Sequence, residues 1–194
     1  SITFGRFNPP TTGHEALLSK VKAASKGGEY RIYPSRSQDP QKNPLDPGTK
    51  IKFMKQAYPD HTNAIQSSEE MRTIFDVLTA LDGEGYSSVN LVVGGDRVSE
   101  FNSLATKYNG DLYNFDDIKV SSAGDRDPDA EGVEGMSASK LRKAAMDDDY
   151  DTFVSGIPEK LGRKGKQELY NTLRQAMNVQ EDIDDFQDAS YTLY

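Results

Sequence analysis

The feature that most constrains this chain is an alternation of two periodicities. Short β-like runs at residues 2–6, 30–33, 62–66, 89–93 and 118–122 are each followed by apolar residues at helical spacing. Leu17, Leu18 and Val21 follow the first run, and Ile51, Phe53 and Met54 follow the second. Met71, Ile74, Phe75, Leu78 and Leu81 follow the third, with Ser67 or Ser68 as the expected cap. Phe101, Leu104, Ala105 and Tyr108 follow the fourth, and Leu141 and Ala145 the fifth. Strands alternating with helices imply βαβ units and a mostly parallel sheet. The pattern predicts an α/β domain over residues 1–146, with a doubly wound sheet of about five strands and helices on both faces. Residues 147–194 are expected to form a helical C-terminal extension with an acidic tail, and Phe153, Leu161, Leu169, Leu173 and Met177 are its apolar positions. No internal repeat is visible.

Parallel sheets of this kind bind ligands beyond the carboxyl ends of their strands, where strand order reverses. Three of the expected strands run into unusual polar or Gly-rich sequence. These are residues 5–14 after the first, 94–97 after the fourth and 124–142 after the fifth. All three are expected at the same edge of the sheet. Residues 34–48 form a long polar loop with four prolines, and loops of this length in a compact domain are often functional.

Charge sharpens the expectation. The chain carries a formal net charge of −8, which disfavours a general nucleic-acid binder. Yet residues 1–60 hold ten basic and five acidic side chains, a pattern that reads first as solvated surface and second as a local anion site on an acidic protein. There is no Cys, which removes disulfides and thiolate metal ligands. No apolar run approaches the ~18 residues of a membrane span, and residues 1–4 read as a strand rather than a signal peptide. The expectation is a cytoplasmic protein without membrane contact.

Two segments carry chemistry. In residues 5–14, a strand end passes through Gly5, Arg6 and Phe7 to Asn8-Pro9-Pro10, then to Thr11, Thr12, Gly13 and His14. A helix N-terminus offers unpaired N–H groups and partial positive charge, which suit phosphate. Gly13 allows close approach, Thr11 adds a hydroxyl, and His14 in the first turn can donate to a phosphoryl oxygen. In the second segment, Ser137 and Ser139 place hydroxyls at another helix start. Arg142 follows about one turn later as a forked donor. His61 has no motif around it and reads as a surface or capping residue.

Taken together, these segments resemble the nucleotidyltransferase superfamily named for its HxGH signature, in the nicotinamide-mononucleotide adenylyltransferase-like or cytidylyltransferase-like branch. Residues 5–9 and 11–14 resemble its first motif, and residues 137–142 its second, S-x-[ST]-x-x-[RK]. Gly94-Gly95-Asp96 resembles its G-x-D element. Order and spacing agree over residues 1–145. The first His of the signature is Thr11 here, a residue also found there in the phosphopantetheine adenylyltransferase branch. There is no Trp, so a nicotinamide ring would stack on Tyr or Phe.

The resemblance implies a Rossmann-like fold and in-line transfer of a nucleoside monophosphate, with AMP from ATP first in line. The acceptor is a small phosphorylated molecule such as nicotinamide mononucleotide, and pyrophosphate is released. It assigns His14, Thr11 and Arg142 to catalysis. It assigns Gly5, Arg6, Phe7, Gly13, Gly94, Asp96, Ser137 and Ser139 to the nucleotide. Arg36 and Lys42 are the candidates for the acceptor phosphate. Mg²⁺ is expected to arrive with the triphosphate, with no dedicated protein metal site. The acceptor, the choice between ATP and CTP, and the oligomeric state stay open at this level. So does a catalytically silent nucleotide-binding or assembly module.

Overall fold

A computed structural model of the chain describes residues 1–124 and 137–179. Four parallel strands form one sheet: β1 (Ile2–Gly5), β2 (Arg31–Pro34), β3 (Ser88–Val93) and β4 (Asp117–Ser122). Their order is β2-β1-β3-β4. Ile2 is in register with Arg31 on one side and Leu91 on the other, and Ser88 to Val93 pairs with Asp117 to Ser122. The strand order reverses at β1, so the crevice of the doubly wound arrangement opens beyond the carboxyl ends of β1 and β3.

Seven α-helices accompany the sheet among the described residues. They are α1 (Thr12–Ala24), α2 (Pro47–Ala57), α3 (Ile74–Gly83), α4 (Val98–Lys107), α5 (Ala138–Met146), α6 (Tyr150–Ser155) and α7 (Gly162–Ala176). Helix starts follow local capping chemistry. The Asp46 carboxylate accepts from Thr49 N–H at 3.0 Å, with Pro47 at the first helical position of α2. The Ser137 hydroxyl accepts from Lys140 N–H at 3.2 Å at the start of α5.

Three expectations fail here. The run at 62–66 is not a strand, so the sheet has four strands and not five. Residues 59–61 form a turn of 3-10 helix, and the N–H groups of Ala64 and Ile65 return to the His61 carbonyl at 2.9 and 3.2 Å. What survives is one bridge beside β2, between Ile32 and Ile65. The third helix also starts later than expected. A reciprocal box between Thr73 and Asp76 captures its N-terminus, leaving Met71 outside and Ser67 and Ser68 in the preceding loop. His61 is not on the surface: it is buried, and its Nδ1 lies 3.0 Å from the Tyr30 hydroxyl. The polar loop at 125–136 and the acidic tail from residue 180 lie outside the described residues.

The core divides into two clusters, one on each face of the sheet. Ile32 belongs to the first, with Leu18, Phe53, Leu141, Phe153, Leu169 and Leu173. The next residue, Tyr33, points the other way and packs with Leu78, Leu91, Phe101 and Phe115. Helices α6 and α7 therefore share a core with α1, α2 and α5. Near the site, the Thr12 N–H donates to the Gly156 carbonyl at 3.0 Å, tying the start of α1 to the end of α6. Leu169 is fully buried. Leu169→Ala is expected to cost about 2–5 kcal/mol, read by urea denaturation as one cooperative transition at a lower midpoint. A separate early transition of the C-terminal helices would contradict this shared core.

Candidate functional site

The β1–α1 connection folds around one asparagine. The Asn8 side chain is buried and reads the backbone of a residue 37 positions away. Its Oδ1 accepts from Leu45 N–H at 2.9 Å and its Nδ2 donates to the Leu45 carbonyl at 3.2 Å. The Asn8 main-chain carbonyl accepts a third bond, from Arg142 Nη1 at 2.8 Å. The other arm of the guanidinium, Nη2, donates to the Ser139 hydroxyl at 3.2 Å. Three distant stretches, residues 5–14, 35–46 and 137–142, thus meet at Asn8. The peptide between Asn8 and Pro9 is cis.

Directly after this junction, α1 begins with a cap of unusual composition. The Thr11 hydroxyl accepts from His14 N–H at 3.2 Å, and His14 Nδ1 accepts from Thr11 N–H at 3.1 Å. This is a capping box with an imidazole in place of the usual Glu or Gln. The bond has a chemical consequence. Because Nδ1 accepts, the neutral ring carries its proton on Nε2. Tyr58 holds the same turn from beneath by donating its hydroxyl to the Thr11 carbonyl at 2.7 Å. Full burial keeps the Tyr58 phenol well above its ordinary pKa, so it acts as a neutral donor.

The site is electropositive. Burial and the nearby charge of Arg6 both disfavour the Arg142 guanidinium, and Asp39 partly offsets them. Asp39 also shapes the loop after β2. Its carboxylate accepts from the N–H groups of Gln41 and Lys42 at 3.0 and 2.7 Å and from Asn43 Nδ2 at 2.7 Å. These bonds lower its pKa to about 2 and hold Lys42 on an ordered, exposed turn. Arg36 is half-buried and reaches the Ser67 carbonyl at 3.5 Å.

Several expected roles change. Phe7 does not line the site: it is 1% exposed and packs its ring edge-on against His14, with centroids 4.9 Å apart. It supports the imidazole from the core. Thr11 is buried as well, and its hydroxyl is engaged in the cap. Gly5 approaches the Phe7 ring so closely that a Cβ there would lie 3.1 Å from it. Gly13 lies in the first turn of α1. On the far side of β1, Gly94 and Asp96 follow β3. A Cβ on Gly94 would meet Asp96 Oδ1 at 2.8 Å, so a larger residue there would push the exposed Asp96 carboxylate aside. Ser137 serves as the cap of α5, and Ser139 faces out beside Arg142.

Sequence reasoning missed Asn8, Tyr58 and Lys50. Lys50 had a legible signal. It precedes Phe53, Met54 and Ala57 by three, four and seven residues, so it occupies the buried stripe of α2. Its ammonium is fully buried and donates to the Ser35 carbonyl at 2.5 Å. Burial, with the charge of Arg36 secondary, lowers its pKa to about 8.

A scan against protein-family models gives no match, and neither does a search of curated proteins.

Two outcomes follow from this geometry. Side-chain ¹⁵N spectra should show neutral His14 as the Nε2–H tautomer, and the opposite tautomer would remove the Thr11–Nδ1 bond from the account. The folded pKa of Lys50 lies below its ordinary 10.5, so unfolding takes up protons between the two values and stability gains with rising pH. Relative to Lys50→Met, the wild type should therefore gain stability between about pH 8 and pH 10 in denaturant titrations. A difference that is flat over this window would contradict the buried charge.

Proposed function

We propose that this protein is a nucleotidyltransferase, moving a nucleoside monophosphate from a triphosphate onto a phosphorylated acceptor. The observation that carries the reading is the bond from Arg142 to the Asn8 carbonyl. It supports a single polyphosphate cradle built from the start of α1 and the start of α5. Each element alone is an ordinary capped helix. Joined, they combine two helix N-termini with an imidazole, a guanidinium and a hydroxyl, all suited to phosphate oxygens.

In this reading, an oxygen of the acceptor phosphate attacks the α-phosphorus in line. The new O–P bond forms as the bond to the bridging α,β-oxygen breaks, and pyrophosphate leaves. The acceptor is already an anion at neutral pH, so no strong base is required. The protein contributes position and charge stabilisation. His14 Nε2–H donates to the α-phosphate as charge spreads over it. Arg142 and Ser139 hold the leaving phosphates, and Ser137 fixes the start of α5. Thr11 acts through His14 by fixing its tautomer. Asp96 and the Gly94 turn would meet the nucleoside at the other side of the crevice. Arg36 and Lys42 are assigned to the acceptor phosphate. These donors suit phosphate oxygens and do not suit a divalent cation, so Mg²⁺ would be carried on the triphosphate as part of the substrate.

The test is pyrophosphate release from each nucleoside triphosphate with a panel of phosphorylated acceptors, starting with ATP and nicotinamide mononucleotide. Release with one pair is expected. None with any pair would favour a silent binding module. In the active pair, His14→Ala should lower kcat by about 10²–10³ with the fold intact. Near-normal turnover would remove His14 from its role.

A further inference from the structure

Among the described residues, two lysines are buried, and they are treated differently. Lys166 is 9% exposed and paired with Glu159 at 2.8 Å. Lys50 is 0% exposed, and no described carboxylate lies within 4.0 Å of it. Its partners are neutral: the Ser35 carbonyl at 2.5 Å and the Ser35 hydroxyl at 3.5 Å. The like charge of Arg36 acts on it as well and disfavours the ammonium further. A buried cation without a counter-ion is costly, and an apolar side chain of similar volume would serve the fold better. The position is therefore explained by something other than packing.

Location supplies the explanation. Ser35 is the first residue after β2, and its N–H donates to the Gly5 carbonyl at the end of β1 at 2.7 Å. The Lys50 ammonium thus sits just beneath the carboxyl edge of the sheet, at the root of the loop that carries Arg36 and Lys42. Arg142, the donor assigned to the triphosphate, lies instead on α5. The site therefore has a second positive pole, whose charge the protein leaves unbalanced.

We infer that Lys50 is a positioning residue for the acceptor: from beneath Ser35 it holds the root of the loop, and its unpaired charge is balanced by the acceptor's phosphate group. This rests on the nucleotidyl-transfer reading and deepens it, since it makes a phosphate the feature of the acceptor that this pole selects. Lys50 does not touch the acceptor. It acts through Ser35 and through the field at the loop.

The test uses the full chain and two inorganic probes. Calorimetry measures tripolyphosphate binding first, then orthophosphate binding to the tripolyphosphate-saturated protein. In Lys50→Met, orthophosphate affinity is expected to fall by ~10-fold or more, with tripolyphosphate affinity changed by no more than about twofold. Lys50→Arg, which keeps the charge, is expected to restore most of the loss, and the Met variant should fold at least as stably as wild type. Unchanged orthophosphate affinity in Lys50→Met overturns this inference alone. Misfolding of both Lys50→Met and Lys50→Gln also overturns it, because the charge would then be structural. A wild type that binds tripolyphosphate but not orthophosphate overturns it too. A wild type that binds neither anion overturns the transfer reading with it.

Discussion

The Asn8 side chain and its carbonyl join separate parts of the chain. Its amide clamps the backbone of Leu45, and its carbonyl receives Arg142. A buried asparagine can make these bonds only if three connections, after β1, after β2 and before α5, close on one another. The junction therefore ties loop positions to a core that is otherwise apolar. Hydrogen bonds to a charged donor contribute about 1.5–3 kcal/mol each, and a buried group left unpaired costs about 1–3 kcal/mol. Loops held this way lose the freedom that would blur a binding site, which is the preorganisation that charge stabilisation needs.

The same junction concentrates charge. The chain is acidic overall, yet Arg6, Arg36, Lys42, Lys50 and Arg142 all belong to the three connections or to the helix beside them. The acids of the connection after β2 are Asp39 and Asp46, and their carboxylates are engaged in shaping the turn below Lys42 and in capping α2. Cations gathered without matching carboxylates destabilise an empty protein and are relieved by an anion. That asymmetry, more than the fold, argues for a phosphorylated ligand, since an α/β sheet of this kind hosts many chemistries.

Much of this arrangement was legible in the residues. Helical spacing placed α1, α4 and α5, and the strand ends at Gly5 and Gly94 marked the edge that carries the candidate site. The pairing of His14 with Arg142 in one site came from resemblance, not from periodicity. The run at 62–66 misled because β-propensity says nothing about where the N–H groups of Ala64 and Ile65 go, and they return to His61. Phe7 misled for a different reason. It stands in a loop motif, but its positive φ of 49° turns the ring inward under His14. Asn8 was illegible because its role depends on Leu45, which no local pattern connects to it. Lys50 was legible and overlooked: a lysine in an apolar stripe asks what balances it.

The proposed site requires two distant chain segments to grip one polyphosphate. The most direct test is an NMR titration with ATP that follows the His14 imidazole and the Arg142 guanidinium nitrogens together. Both should shift along a single saturation curve with one Kd. If one signal moves while the other stays in place at saturation, the two segments do not form one site.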